Sequence, residues 1–402
     1  MATIAVLGTF DTKGEEHAFV AEVIRKRGHH VLLINVGPLE NPTLKPDISC
    51  EQVAAEADID LAALRARHDR GEAVLAMSQA APILLTRLWQ EKKIDGVISL
   101  GGGGGTAIAT AAMRALPIGF PKLMVSTLAS GNTAQYVGVR DIVMFPSIVD
   151  VAGLNRISRQ ILTRAAGAIC GMVEVVPPVA QDKPIIAASM FGNTNTCVQH
   201  ARKILEAAGY EVLIFHATGT GGRVMESLIE SGMVAGVLDL TTTEWADEVV
   251  GGVLGAGPTR LEAAARMGVP AVVGPGCLDM VNFQAPSTVP DRFEGRVFYH
   301  HNPQVTLMRT TPAEAAEIGK VIAEKLNASI GPVTVMLPLK AISVISAIGQ
   351  AFHDAAADEA LFSAIKSTLR KDIPVKELAL EINDEAFAEA AAKELLGLMG
   401  RK

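Results

Sequence analysis

A strand-turn-helix order that occurs twice sets the frame for this chain. Ile185-Ile186-Ala187-Ala188-Ser189-Met190-Phe191-Gly192-Asn193-Thr194 can be laid on Ile4 to Lys13 without a gap, with Phe191 over Phe10. Gly209 to Phe215 falls on Gly28 to Ile34, Ala235 to Leu240 on Asp95 to Leu100, and Pro270 to Gly274 on Pro121 to Val125. An internal repeat explains this shared order better than chance composition does. Each copy alternates short apolar runs, the signature of buried parallel strands, with helical patterns. A chain of 402 residues is also too long for one typical core. The expectation is therefore an α/β chain of two tandem Rossmann-like domains with parallel sheets and a ligand cleft between them. The stretch Val176 to Pro184, rich in proline and polar residues, reads as the linker, giving domains at residues 1–176 and 184–402. The second domain carries further C-terminal elements. Among them, Thr311-Pro312-Ala313-Glu314 is a capping box with proline at the first helical position. Lys340 to Asp354 reads as a loop long enough for a lid or a dimer arm.

Composition excludes several partners. A net charge of −7 argues against a surface built to coat nucleic acid. No apolar run approaches the length of a membrane span. The N-terminus enters a strand directly, without the basic region of a signal peptide. The four cysteines are scattered, with no CxxC pair, which fits free thiols in a reducing cytoplasm.

Where the copies diverge, they become informative. Gly96 to Leu100 feeds five consecutive glycines, Gly101 to Gly105, followed by Thr106 and a helical pattern. Each glycine in ordered structure costs roughly 0.5–1 kcal/mol relative to alanine, so five need a reason. Bare amides at a strand-to-helix turn can close around an anion, aided by about half a positive charge at the helix N-terminus. The plain alternative is a flexible turn or a tight helix–sheet contact. The second copy has Thr241-Thr242-Thr243-Glu244-Trp245 at this place. A run demanded by the fold alone should have recurred, so the glycines point to a ligand of the first domain.

Other strand ends carry further candidates. Thr9, Asp11, Thr12 and Lys13 follow the first strand, where Lys13 could bind a phosphate and Asp11 could place Mg²⁺. The alternative is a helix cap with a solvated lysine. Ser130, Gly131 and Asn132 close the same side. In the second domain Asn193, Thr194, Thr218, Gly219, Thr241, Thr242 and Thr243 occupy the equivalent turns and suit a polyol, a sugar acid or a metal. Glu244 and Asp247 put two acids one helical turn apart, either as base and metal ligand or as favourable charges at a helix N-terminus. No Walker A motif is present.

With Gly8-Thr9-Phe10-Asp11-Thr12-Lys13-Gly14-Glu15, Ser99 to Thr106, Met190 to Thr194, Leu240 to Glu244 and Leu380 to Asp384 in view, the sequence resembles an uncharacterised bacterial and fungal family. Its domain also forms the N-terminal part of the tomato tobamovirus-resistance protein and is called an ATP-binding domain. The resemblance spans nearly the whole chain. It implies ATP with Mg²⁺ at the first domain, held by Thr9, Asp11, Lys13, Gly102, Gly103, Gly104, Gly105 and Thr106, and it implies homodimers. The antiviral activity does not carry over. Lys340-Ala341-Ile342-Ser343 departs from the Pro-Leu-x-Gly turn expected there.

Three functional expectations follow. The first is an ATP- and Mg²⁺-dependent enzyme, a phosphotransferase or hydrolase acting on a small polar metabolite, with Asp11 and Lys13 on the phosphates and Glu244 or Asp247 as base or second metal ligand. The second is a non-catalytic ATP-dependent binding or regulatory module. The third is an ATP-independent sugar-acid isomerase or lyase.

Overall fold

The computed structural model describes residues 1–39, 41–178 and 182–400. It divides into two compact units, Met1–Ala180 and Gln181–Lys402. Val179, Ala180 and Gln181 of the expected linker lie outside the described residues.

The first unit runs β1 (Thr3–Gly8), α1 (Phe10–Lys26), β2 (His30–Asn35), α2 (Cys50–Ala55), α3 (Leu61–Ala66), α4 (Arg70–Gln90), β3 (Gly96–Gly101), α5 (Gly103–Arg114), β4 (Lys122–Ser126), α6 (Ala134–Val137), β5 (Val143–Pro146) and α7 (Arg156–Glu174). The strands form one parallel sheet in the order β2-β1-β3-β4-β5. Alternate side chains of one strand point to opposite faces. Ile4 and Val6 accordingly enter one core with α1 and α7, while Ala5 and Leu7 enter a second core with α4 and α5. Burial on both faces is why β1 reads as a continuous apolar run. Helix α7 begins at Arg156, where Asn155 closes a capping box with Ser158.

The second unit repeats the plan as β6 (Ile185–Met190), α8 (Asn195–Ala207), β7 (Glu211–His216), α9 (Thr220–Glu230), β8 (Val234–Thr241), α10 (Glu244–Val250), α11 (Glu262–Met267) and β9 (Ala271–Gly276). A three-stranded antiparallel sheet follows, from β10 (Met280–Phe283), β11 (Phe298–Asn302) and β12 (Val305–Arg309). The chain then forms α12 (Pro312–Asn327), β13 (Val333–Pro338), α13 (Ala355–Thr368), β14 (Val375–Leu378) and α14 (Glu385–Met399). The main sheet is parallel with order β14-β13-β9-β8-β6-β7, so read from β7 it repeats the order of the first.

Strand register corrects the gapless match by one residue. Ile4 pairs with Val31 and Gly96, whereas Ile186, not Ile185, pairs with Val212 and Gly236. The shift runs through the whole regular β6–β7 pairing, and against β8 an irregularity falls between Ile185 and Ile186. Phe191 therefore does not take the place of Phe10. Phe10 is buried against His17, ring centroids 5.2 Å apart, while Phe191 meets His216 edge-on at 5.5 Å.

The 340–354 segment is not a free lid or arm. Ala341, Ile342, Ser346 and Phe352 are buried. The Ile342 carbonyl accepts from Cys277 N at 2.9 Å, and Ser343 Oγ donates to Asp279 Oδ2 at 2.7 Å. No described helix is long and apolar enough to cross a membrane.

Candidate functional site

In the first sheet the chain leaves β1 for β2 on one side and returns to β3 on the other. Ligands of open parallel sheets bind beyond the strand carboxyl ends at such a switch point. A cavity of about 460 Å³ lies there. Thr9, Asp11, Thr12 and Lys13 line it after β1, and Gly102, Gly103, Gly104 and Gly105 line it at the start of α5. Arg70, Leu39 and Asp150 complete the polar and apolar walls.

The glycines separate into two groups. A Cβ on Gly101 would come 3.1 Å from Gly105 Cα, so close strand–helix approach accounts for that one. A Cβ on Gly104 would come 3.3 Å from Val74 Cγ2. Gly102 and Gly105 have nothing nearer than 3.7 Å, and Gly103 has nothing within 4 Å. None of the five adopts a positive φ. At Gly102, Gly103 and Gly105 neither packing nor backbone conformation demands glycine, and all three line the cavity.

The β1–α1 turn is held from below. Asn35 Oδ1 accepts from Phe10 N at 3.0 Å and Gly37 N at 2.9 Å. Asp11 is 8% exposed, and its Oδ2 accepts from Leu39 N at 3.2 Å. Thr12 Oγ1 bridges Thr9 Oγ1 at 3.2 Å and Asp11 Oδ1 at 3.3 Å. Lys13 breaks the helix, with φ −135° and ψ 31°, and its ammonium donates to the Val151 carbonyl. His17, fully buried one turn on, holds the Lys13 carbonyl through Nδ1 at 2.6 Å. Burial lowers the His17 pKa to about 4, leaving the ring neutral at pH 7.

Other expected residues lie elsewhere. Because α5 begins at Gly103, Thr106 is turned inward and fully buried, with Oγ1 2.7 Å from Ser126 Oγ. Ser130 lines a neighbouring cavity of about 320 Å³ that shares Asp150 with the first. Gly131 and Asn132 are exposed, and Asn132 Oδ1 caps Ala134 N. No group of three or more metal-binding side chains occurs among the described residues. Mg²⁺ on a nucleotide needs only one or two carboxylates besides phosphate oxygens, and Asp11 and Asp150 share the cavity wall.

In the second unit the expected acids are structural partners. Glu244 is 1% exposed. Its Oε1 accepts from Gly219 N at 2.7 Å and Gly222 N at 3.0 Å, while Oε2 accepts from Arg260 Nε at 2.7 Å. Arg260 is itself buried and also binds Asp239 and Glu226. Asp247 is equally buried, its oxygens taking Asn282 N at 2.7 Å and Asn282 Nδ2 at 2.6 Å. Burial, opposed by the Asn282 donors, pushes Asp247 up to about 7. Neither acid presents an exposed face to a substrate. Thr194, Thr241, Thr242 and Thr243 are likewise buried; Thr194 pairs with Thr241 and Thr242 with the Gly274 carbonyl. Of the expected substrate residues, Asn193 and Thr218 do line a cavity, of about 480 Å³. Arg70, Asp150, Arg260 and Asn282 were not anticipated. Asp150 follows β5, whose four half-exposed residues carry no strand periodicity.

Comparison with known sequences decides the family. Residues 2–178 match the N-terminal domain, and residues 183–399 the C-terminal domain, of the uncharacterised protein family UPF0261. The chain belongs to the UPF0261 family. A UPF0261 protein of Clostridium tetani is 51% identical over 98% of both chains. The ToMV resistance protein Tm-1 of Solanum lycopersicum is 38% identical over 97% of this UPF0261 chain, which spans 55% of the tomato protein. Among solved structures, a UDP-GlcNAc 2-epimerase of Methanocaldococcus jannaschii aligns at TM-score 0.25 and 11% identity, over 68% of this chain and 83% of that one. That likeness is too slight to argue from.

Proposed function

We propose that the first unit of this UPF0261 chain binds ATP with Mg²⁺ at the β1/β3 switch point. The observation that carries the reading is the bare backbone of Gly102, Gly103 and Gly105, which line the cavity without a packing or conformational need for glycine. The N-terminal amides of α5 face a phosphate, and Lys13 and Arg70 supply positive charge from two other walls. Asp11 and Asp150 accept the metal, which neutralises phosphate charge when bound. The bound nucleotide serves phosphoryl transfer to a small polar metabolite or its own hydrolysis. Thermal unfolding with ATP, ADP and AMP, each with and without Mg²⁺, tests the site. A shift that grows with phosphate count and with Mg²⁺ supports it, and equal or absent shifts refute it.

A second reading, binding without turnover, draws on the burial of Glu244 and Asp247, which removes the expected base. γ-Labelled ATP incubated with a metabolite mixture separates the two: label transfer or release above background favours the enzyme, and stoichiometric binding without it favours the module.

A further inference from the structure

Beyond the nucleotide site, the second unit carries a cavity that no part of that reading uses. It lies beyond the carboxyl ends of β6 and β7, where Phe191, Asn193 and His216 line it, and β10 with the residue after it supplies Asn282, Phe283 and Gln284. Its volume, about 480 Å³, is in the range of small-molecule sites. Its lining holds amides, aromatics, aliphatics and two histidines, but no aspartate, glutamate, lysine or arginine among the described residues. A charged ligand would lose its hydration here without a counter-charge, so the walls select against one.

The polar groups of the wall are held ready. Asp247 accepts both the main-chain N–H and Nδ2 of Asn282, which fixes that amide's orientation. Asn282 Oδ1 is buried as well, sealed from solvent and with no partner among the described residues. Asn193 is pinned through its carbonyl by Asn383 Nδ2 at 2.9 Å, and its own Nδ2 meets the Met280 sulfur at 3.7 Å. Half-buried Asn193 thus offers its amide to the cavity, with Phe191 and Phe283 in the same lining.

We propose that this cavity binds an uncharged planar heterocycle bearing amide-type N–H and C=O groups, a nucleobase presented as free base or nucleoside. The aromatic side chains cover its ring, and the Asn193 amide meets its polar edge, Nδ2 donating to its carbonyl and Oδ1 accepting from its N–H. An amide edge complements such a base with both donor and acceptor.

The test is a calorimetric titration of the full chain, presaturated with Mg-ATP to occupy the first unit, with uridine, cytidine, adenosine and guanosine. Each nucleoside is compared with its 5′-monophosphate and with gluconate. Binding of at least one nucleoside is expected, with its monophosphate at least tenfold weaker and gluconate silent. In Asn193→Ala, which leaves the pinned main chain in place, that binding should weaken tenfold or more while the melting temperature holds. In Gln284→Lys, the added positive charge should narrow or invert the preference for nucleoside over monophosphate. No nucleoside binding at millimolar concentration, equal binding of the monophosphate by the unaltered chain, or binding indifferent to Asn193→Ala would each overturn the proposal. Omitting ATP in a parallel titration keeps the result independent of whether the first unit binds nucleotide.

Discussion

Glu244 Oε2 meets Arg260 Nε at 2.7 Å, and both side chains are sealed from solvent. Arg260 also gathers Asp239 and Glu226, and Glu244 in turn closes the main-chain N–H groups of Gly219 and Gly222. Removing one partner of such a buried network leaves uncompensated charge, at a cost of roughly 3–5 kcal/mol. Arg260→Met should therefore lower the unfolding midpoint strongly in urea, followed by circular dichroism. A midpoint within error of the unaltered chain would show the network to be inert.

Gly8 rests on the His17 ring, where a Cβ would lie 1.9 Å from Nε2. Gly8→Ala should destabilise the first unit, because the ring is enclosed and has no room to retreat. His17→Ala opens that space, so the double variant should be more stable than the sum of the two single losses requires. Additive losses in the double-mutant cycle would place the strain elsewhere.

The same ring sets a pH dependence. Its pKa falls from 6.5 to about 4 on folding, chiefly through burial, so the unfolded chain binds the proton more readily. Stability from this group is present above pH 6.5 and is lost as pH falls toward 4, by roughly 3 kcal/mol at full protonation of the unfolded state. Asp247 acts in the opposite sense: raised to about 7, it makes the second unit less stable as pH climbs from about 4 to 7. Denaturant unfolding across pH 4 to 8 should show the acid loss flattened in His17→Leu. An unchanged acid limb in that variant would assign the loss to other groups.

Lys13 and Arg70 approach the proposed phosphate from different elements. Charge-assisted hydrogen bonds of this kind contribute about 1.5–3 kcal/mol each. Lys13→Met and Arg70→Met should each weaken ATP binding by roughly tenfold to a hundredfold, with less effect on AMP. Equal losses for ATP and AMP would move the terminal phosphates away from these side chains.

Much of this architecture was legible in the chain, for identifiable reasons. Strands buried on both faces leave apolar runs such as Ile4 to Leu7, and a repeated strand order leaves a repeated pattern. The capping box at Thr311 was equally plain, since Thr311 and Glu314 are local partners. What escaped depends on long-range placement. Glu244 and Asp247 look alike as acids one turn apart, yet their meaning rests on Arg260 and Asn282, 16 and 35 residues away along the chain. The 340–354 segment has the composition of a loop, and only its packing against Cys277 and Asp279 shows that it is anchored. The glycine run was visible; which of its members the fold itself needs was not, because that turns on distances to Gly105 and Val74.

Gly103 offers the most direct test of nucleotide binding, because its Cβ position is empty of protein atoms and its φ is not positive. Gly103→Ala should fold as well as the unaltered chain or better, by up to about 1 kcal/mol, while placing a methyl group in the phosphate cradle. Titration calorimetry with Mg-ATP on both proteins decides the matter. The expected result is saturable binding to the unaltered chain and at least tenfold weaker binding to Gly103→Ala at an equal or higher melting temperature. Mg-ATP binding of equal strength in both proteins, or in neither, would contradict a phosphate site at the head of α5.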